Sequence, residues 1–295
     1  MRALLWFLAA IFGTLVLAAL VAWPLWLVVH MFAQDLPFHR IVSRFWQLLL
    51  LGGLLFALRG LGLRGRADWG YGLQRPVFLR HFAAGLAIGV ATMLPMSLAM
   101  GALGIHTLRP GFGPAMLLEA IASGALAGLA VSILEETFFR GLMFRAVSRE
   151  SGFAVAAWGT ALVYAAIHFL ARARIPSDEV VWDSGIRLLG GALANFAEPL
   201  TNADSFITLV LVGLLLACAR QRTGAIAAGI GLHMGWVWVI KATTAVTRVD
   251  TEARASFLVG SFDGYTGWLV AGWAALLLVA AFFAGWLRPE AGATR

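Results

Sequence analysis

Two adjacent carboxylates, Glu135 and Glu136, stand with Arg140 inside an otherwise apolar run from Val131 to Arg145. In a membrane helix each such group costs roughly several kcal/mol unless it is paired or lines a hydrated cavity, so such residues are candidates for chemistry. At 3.6 residues per turn Glu136 and Arg140 are i,i+4 neighbours, which predicts a structural ion pair. Glu135 points about 100° away and has no partner within its own segment. Two imidazoles, His168 and His233, also lie in apolar runs. An acid with two imidazoles can hold and deprotonate a water and stabilise the charge on an attacked carbonyl.

These residues must be brought to a common depth. An antiparallel hairpin turning near residue 151 would set Glu135 level with position 167, next to His168. With a turn near Arg222, His233 would sit about two helical turns away in depth, at 1.5 Å per residue. Gly229, Gly231 and Gly235 around His233 would allow close approach of another helix or of a substrate backbone. His30, His39, His81 and His106 fall at predicted span ends and read as interfacial. Cys218, the single cysteine, reads as a small packing residue in an apolar run.

Composition identifies the solvent. The chain is 61% hydrophobic and 13% charged, against roughly 25% charged residues for a soluble domain, so it is read as an all-α polytopic membrane protein. Its 295 residues allow about eight spanning helices around a polar intramembrane cavity. The predicted spans are 3–32, 41–58, 82–105, 115–148, 153–171, 205–219, 225–244 and 265–287. The basic, Gly-rich stretch 59–80 and the polar stretch 172–204 are read as connectors, and 107–114 as a loop. The fourth span is ~50 Å long, more than a bilayer core, so it is expected to tilt, to kink near Ser123-Gly124 or to project from the membrane. Residues 1–114 form the N-terminal helices, 115–245 the site-bearing core, and 246–295 a last helix and tail, within one structural domain.

The net charge of +7 comes from arginines flanking apolar segments, which points to membrane orientation and excludes nucleic acid as a partner. Counting basic residues by segment places both termini on the cytoplasmic side. The expected location is a multi-pass position in the plasma (inner) membrane of a bacterium.

Glu135-Glu136 with Arg140, Tyr164 with His168, and the later His233 resemble the motifs of the CPBP (ABI) family of intramembrane proteases, which includes the type II CAAX prenyl proteases. The resemblance implies an endopeptidase acting on membrane-associated or lipid-anchored proteins or hydrophobic peptides. It implies Glu135 as the base, His168 as a water-positioning group and His233 as the oxyanion stabiliser, with Glu136, Arg140 and Tyr164 in support. No cofactor is required on this reading; the alternative is zinc held by Glu135, His168 and His233. The sequence departs from the family pattern in having Tyr164 for Phe, and Val237 where Asn is usual. Valine has no donor, so Trp236, Trp238 or Lys241 would have to replace it. Two other readings compete: a non-catalytic scaffold or peptide-immunity protein of the same fold, and a proton-relaying transporter.

Overall fold

The computed structural model describes residues 2–57, 62–170, 174–194 and 202–286. Arg59, Arg172, Arg288, Glu290 and Arg295, which enter the charge count, lie outside the described residues, as do the ends of the second, fifth and eighth predicted spans. The helices in order are α1 (Arg2–Leu20), α2 (Ala22–His30), α3 (Phe38–Ala57), α4 (Arg75–Ala102), α5 (Pro114–Glu136), α6 (Phe144–Leu170), α7 (Ser184–Ala194), α8 (Ala203–Thr223), α9 (Ala227–Val246) and α10 (Trp268–Phe283). A π-helical segment, Thr137–Met143, joins α5 to α6.

Among the described residues four helical stretches are long and apolar enough to cross a membrane: Arg2–Leu20, Arg75–Ala102, Pro114–Leu170 and Ala203–Thr223. The protein is a helical integral membrane protein. The 57-residue stretch is interrupted at Gly152, whose φ of 81° leaves the helical region. Arg140 and Ala161 both pack on Gly213, which places the segments before and after this break side by side, as a hairpin turning near residue 151 requires.

Several boundaries differ from the sequence expectation. The first predicted span is two helices, because Pro24 follows the break at Val21 and cannot donate to the preceding turn. α4 begins at Arg75, seven residues before the predicted span, with Pro76 in its first turn where a missing N–H costs nothing. The polar connector contains α7. The loop near residue 107 contains strand β1 (His106–Leu108), antiparallel to β2 (Thr247–Val249), with His106 opposite Val249. α10 has 16 residues, short for a full crossing. The irregularity in the long helix lies at Thr137–Met143; Gly124 stays helical, and a β-carbon there would come within 3.2 Å of the Trp238 carbonyl.

The chain divides into two compact units, residues 1–64 with 163–201, and 65–162 with 202–295. In the first, α1, α3 and α7 pack together. Trp46 donates its indole N–H to Thr14 Oγ1 at 3.2 Å, and Gly185 lies so close to the Ala19 carbonyl that a β-carbon would be 1.9 Å from it.

In the second unit α9 is gripped on two sides through glycine. Gly85 and Gly89 of α4 meet the carbonyls of Ala228 and Leu232, and Gly231 of α9 meets that of Phe82, all within 2.4 Å of a would-be β-carbon. Gly124 and Gly128 of α5 meet Trp238 and Met234 in the same way. Small residues are what allow backbones this close without hydrophobic driving force between helices. Met93, Met100, Leu216, Trp236, Tyr265 and Val270 fill the core between α4, α8, α9 and α10.

Candidate active site

Glu136 is the last residue of α5 and has no exposed surface; neither has Arg140, one turn on. Arg140 Nη1 donates to Glu136 Oε1 at 3.1 Å, and Nη2 to the Gly213 carbonyl at 3.1 Å. The absence of a side chain at Gly213 also admits Ala161, 2.8 Å from where a β-carbon would stand. The π-helical turn exposes backbone acceptors that an α-helix would use itself. One of them, the Arg140 carbonyl, accepts from Arg220 Nε at 3.0 Å. Arg220 was counted as loop charge in the sequence; at 7% exposure it is instead a buried brace for this turn. Thr137 donates to the Ile133 carbonyl at 2.6 Å, so its oxygen accepts the Tyr71 hydroxyl at 2.7 Å.

α9 supplies the imidazole. His233 is 3% exposed; its Nδ1 lies 3.1 Å from Glu136 Oε1 and its Nε2 3.8 Å from Glu135 Oε2. One turn earlier Gly229 faces Glu136, with a would-be β-carbon 2.9 Å from Oε2. The depth mismatch expected between His233 and the carboxylates does not exist. The sequence estimate put the turns at 151 and 222 level with one another. In the structure the loop at 65–72 touches both segments: Ile226 N–H donates to the Gly70 carbonyl, and Gly141 packs on the Trp69 carbonyl. The start of α9 is therefore level with Gly141, and Glu136 and His233 are about 8 and 10 Å beyond that level.

Glu135 keeps 23% of its side chain exposed, yet Oε2 is buried without a hydrogen-bond partner among the described residues. A carboxylate can only accept, so the ring hydrogen facing Glu136 sits on Nδ1. That leaves Nε2 as the ring nitrogen facing Glu135 Oε2, at 3.8 Å, too long for a direct hydrogen bond. A water can bridge two polar atoms at such a separation.

Tyr164 and His168 belong to the first unit. His168 Nδ1 is bound to the Tyr164 carbonyl at 2.8 Å and the two rings lie 4.5 Å apart. The structure thus brings Glu135, Glu136, Arg140 and His233 together, and ties Tyr164 to His168. Val237 is half-buried on α9. Trp236 and Trp238 do not replace the family asparagine: their indole N–H groups donate to Thr92 Oγ1 and to the Ile121 carbonyl, both at 2.9 Å. Among the described residues no three or more His, Cys, Asp or Glu side chains are grouped as a metal site requires, so no step is derived through zinc.

A buried acid, its guanidinium partner and an imidazole thus meet inside a helical membrane protein. Residues 117–239 match the family model described as type II CAAX prenyl endopeptidase Rce1-like, so this stretch is similar to that family. No curated protein and no solved structure matches the chain.

Proposed function

We propose that the protein is an intramembrane endopeptidase that hydrolyses peptide bonds of membrane-associated or lipid-anchored substrates, with Glu135 as the general base. The observation that carries this reading is the pair Glu135 Oε2 and His233 Nε2, facing each other across 3.8 Å. A water held there gives one proton to Glu135 as its oxygen attacks the scissile carbonyl carbon. Glu135 returns that proton to the leaving amine, so proton and peptide fragments balance over the cycle. His233 orients the water through Nε2 and faces the position where the oxyanion develops. Glu136 holds the ring through Nδ1 and is itself held by Arg140. His168 is the second imidazole of the reading. Its Nδ1 bond to Tyr164 leaves Nε2 as the nitrogen able to position water.

One observation favours the non-catalytic alternative. No side chain at position 237 can donate to an oxyanion, and both flanking indoles are already engaged. Comparing the termini of membrane proteins from cells carrying the wild type or Glu135→Gln separates the two readings. New termini that vanish with the variant support the protease; identical termini, with biological activity retained, support the scaffold.

The expected setting is the plasma membrane of a bacterium with both termini cytoplasmic and about eight crossings. The arginine distribution supports it, and accessibility labelling of single-cysteine variants tests it.

A further inference from the structure

A cavity of about 230 Å³ opens between α4, the end of α8, the first turn of α9 and the turn after α10, wholly within the second unit. Neither Glu135, Glu136 nor His233 lines it. Arg222 and His81 make its polar side, and Ile88, Leu232 and Trp286 its apolar side. Both Arg222 and His81 are half-buried. His81 Nδ1 is enclosed without a hydrogen-bond partner among the described residues, so Nε2 is the nitrogen that the ring can offer to the cavity.

The turn after α10 brings Trp286 to this place. Gly285 takes a φ of 73°, a left-handed conformation that glycine adopts without strain. Its N–H donates to the Phe282 carbonyl at 3.0 Å, and the Trp286 N–H donates to that of Ala281 at 2.9 Å. Together these bonds form a Schellman cap, which folds the chain back over the helix end. The surroundings are basic. The 65–72 loop ties the start of α9 to Arg145 and Arg149, so these arginines share one end of the unit with Arg75, Arg80 and Arg222. Indoles and arginines gathered at helix ends mark a membrane interface, and basic pockets between helices at that level accept anionic lipid headgroups.

We propose that this cavity binds the headgroup of an anionic phospholipid, with the phosphodiester held by Arg222 and His81 Nε2. Arginine suits the task because its planar fork of donors matches phosphate oxygens. Among the described residues no carboxylate lines the cavity, so nothing there answers the ammonium of a zwitterionic headgroup. The apolar wall selects a lipid over free phosphate, since Ile88, Leu232 and Trp286 cover the glycerol and the first acyl carbons. The volume lies just below the roughly 300–1,000 Å³ of sites that enclose a drug-sized ligand. It suits a headgroup whose chains stay in the bilayer. Ala228 and Leu232 follow the strip of α9 beside that of Gly229 and His233, and Ala228 meets Gly85 of α4 across the same cavity. A seated lipid therefore packs against the crossing of α4 and α9 that carries His233. The site stands whether or not the protein is a peptidase.

The test uses the purified full chain in a neutral detergent and follows its unfolding temperature as lipid is added, because a ligand of the folded state raises that temperature by mass action. Phosphatidylglycerol is expected to raise it at concentrations where phosphatidylcholine and inorganic phosphate do not. Arg222→Gln should need about tenfold more phosphatidylglycerol for the same rise, the size of one charge-assisted hydrogen bond. Ala84→Phe fills the cavity from an exposed position on its wall and leaves every charge in place, so it should remove the response. Arg75→Gln changes a cation at the same end that does not line the cavity, and should leave the response intact. No rise with phosphatidylglycerol, or an equal rise with phosphatidylcholine or inorganic phosphate, overturns the lipid site. So does a full response in Ala84→Phe, or a loss in Arg75→Gln as large as that in Arg222→Gln.

Discussion

His233 and Glu136 come from helices ninety-seven positions apart in the chain and meet at 3.1 Å, Nδ1 to Oε1, with the carboxylate fully enclosed. The same carboxylate oxygen accepts from Arg140. One buried oxygen thus connects the π-helical turn to α9 and orients the ring whose other nitrogen faces Glu135. On the proposed reading Glu136 is a positioning residue, and Glu135 is the group left to act on a substrate.

Removing the guanidinium should therefore damage the fold before the chemistry. Arg140→Met leaves Glu136 buried without its cation, a change that costs about 3–5 kcal/mol when one partner of a buried pair is lost. Thermal unfolding of the purified variant should show a large loss, and Glu136→Gln combined with Arg140→Met should recover part of it. Unchanged stability in Arg140→Met would mean that the pair does not hold this turn.

Two glycines of α9 should fail in different ways. Gly229→Ala places a methyl 2.9 Å from Glu136 Oε2, so it should displace the carboxylate and lower kcat while the protein remains inserted and folded. Gly231→Ala places one 2.0 Å from the Phe82 carbonyl, against backbone that cannot rotate away. That substitution should lower the unfolding temperature strongly. Similar effects of the two on both kcat and stability would contradict the separate roles.

The loop that levels α9 with the π-helical turn is pinned by Asp68, which pairs with Arg149 and lies 3.9 Å from Arg145. Partial burial would raise its carboxyl, but the Gly65 N–H, the two arginines and the Arg149 hydrogen bond together hold it below the ordinary value. A depressed folded-state value means the contribution is present at neutral pH and is lost as pH falls through that value, below about 4. Asp68→Asn should cost up to about 1 kcal/mol at pH 7, as exposed ion pairs do. The gap from wild type should close as the pH drops below 4. A gap that is the same at pH 7 and pH 3 would rule out the charge as its source.

Much of this arrangement is legible in the sequence because intramembrane charge is costly. Glu135, Glu136, Arg140 and His233 stand out from apolar surroundings, and the 3.6-residue period already pairs Glu136 with Arg140. What the sequence hides is set by tertiary contact. The level of α9 depends on a hydrogen bond from Ile226 to Gly70, and no local pattern announces it. Arg220 reads as a loop charge because the carbonyl it braces, that of Arg140, lies 80 positions away in the chain. The strands β1 and β2 are three residues each and pair across 141 positions, too short for alternation to register.

Metal dependence can be tested directly. With no three-donor group among the described residues, proteolysis in vesicles should persist after dialysis against 1,10-phenanthroline, and purified active protein should contain far less than one zinc per chain. Loss of activity on chelation, restored by zinc alone, would contradict the water-and-glutamate account.

The most direct test of the central claim is turnover of a membrane-anchored peptide by purified Glu135→Gln, with thermal unfolding measured on the same sample. Glutamine keeps the shape and loses the basicity, so cleavage should fall on the order of a hundredfold to ten-thousandfold while stability stays near wild type. Cleavage at the wild-type rate by a folded Glu135→Gln protein would show that the proton is taken elsewhere.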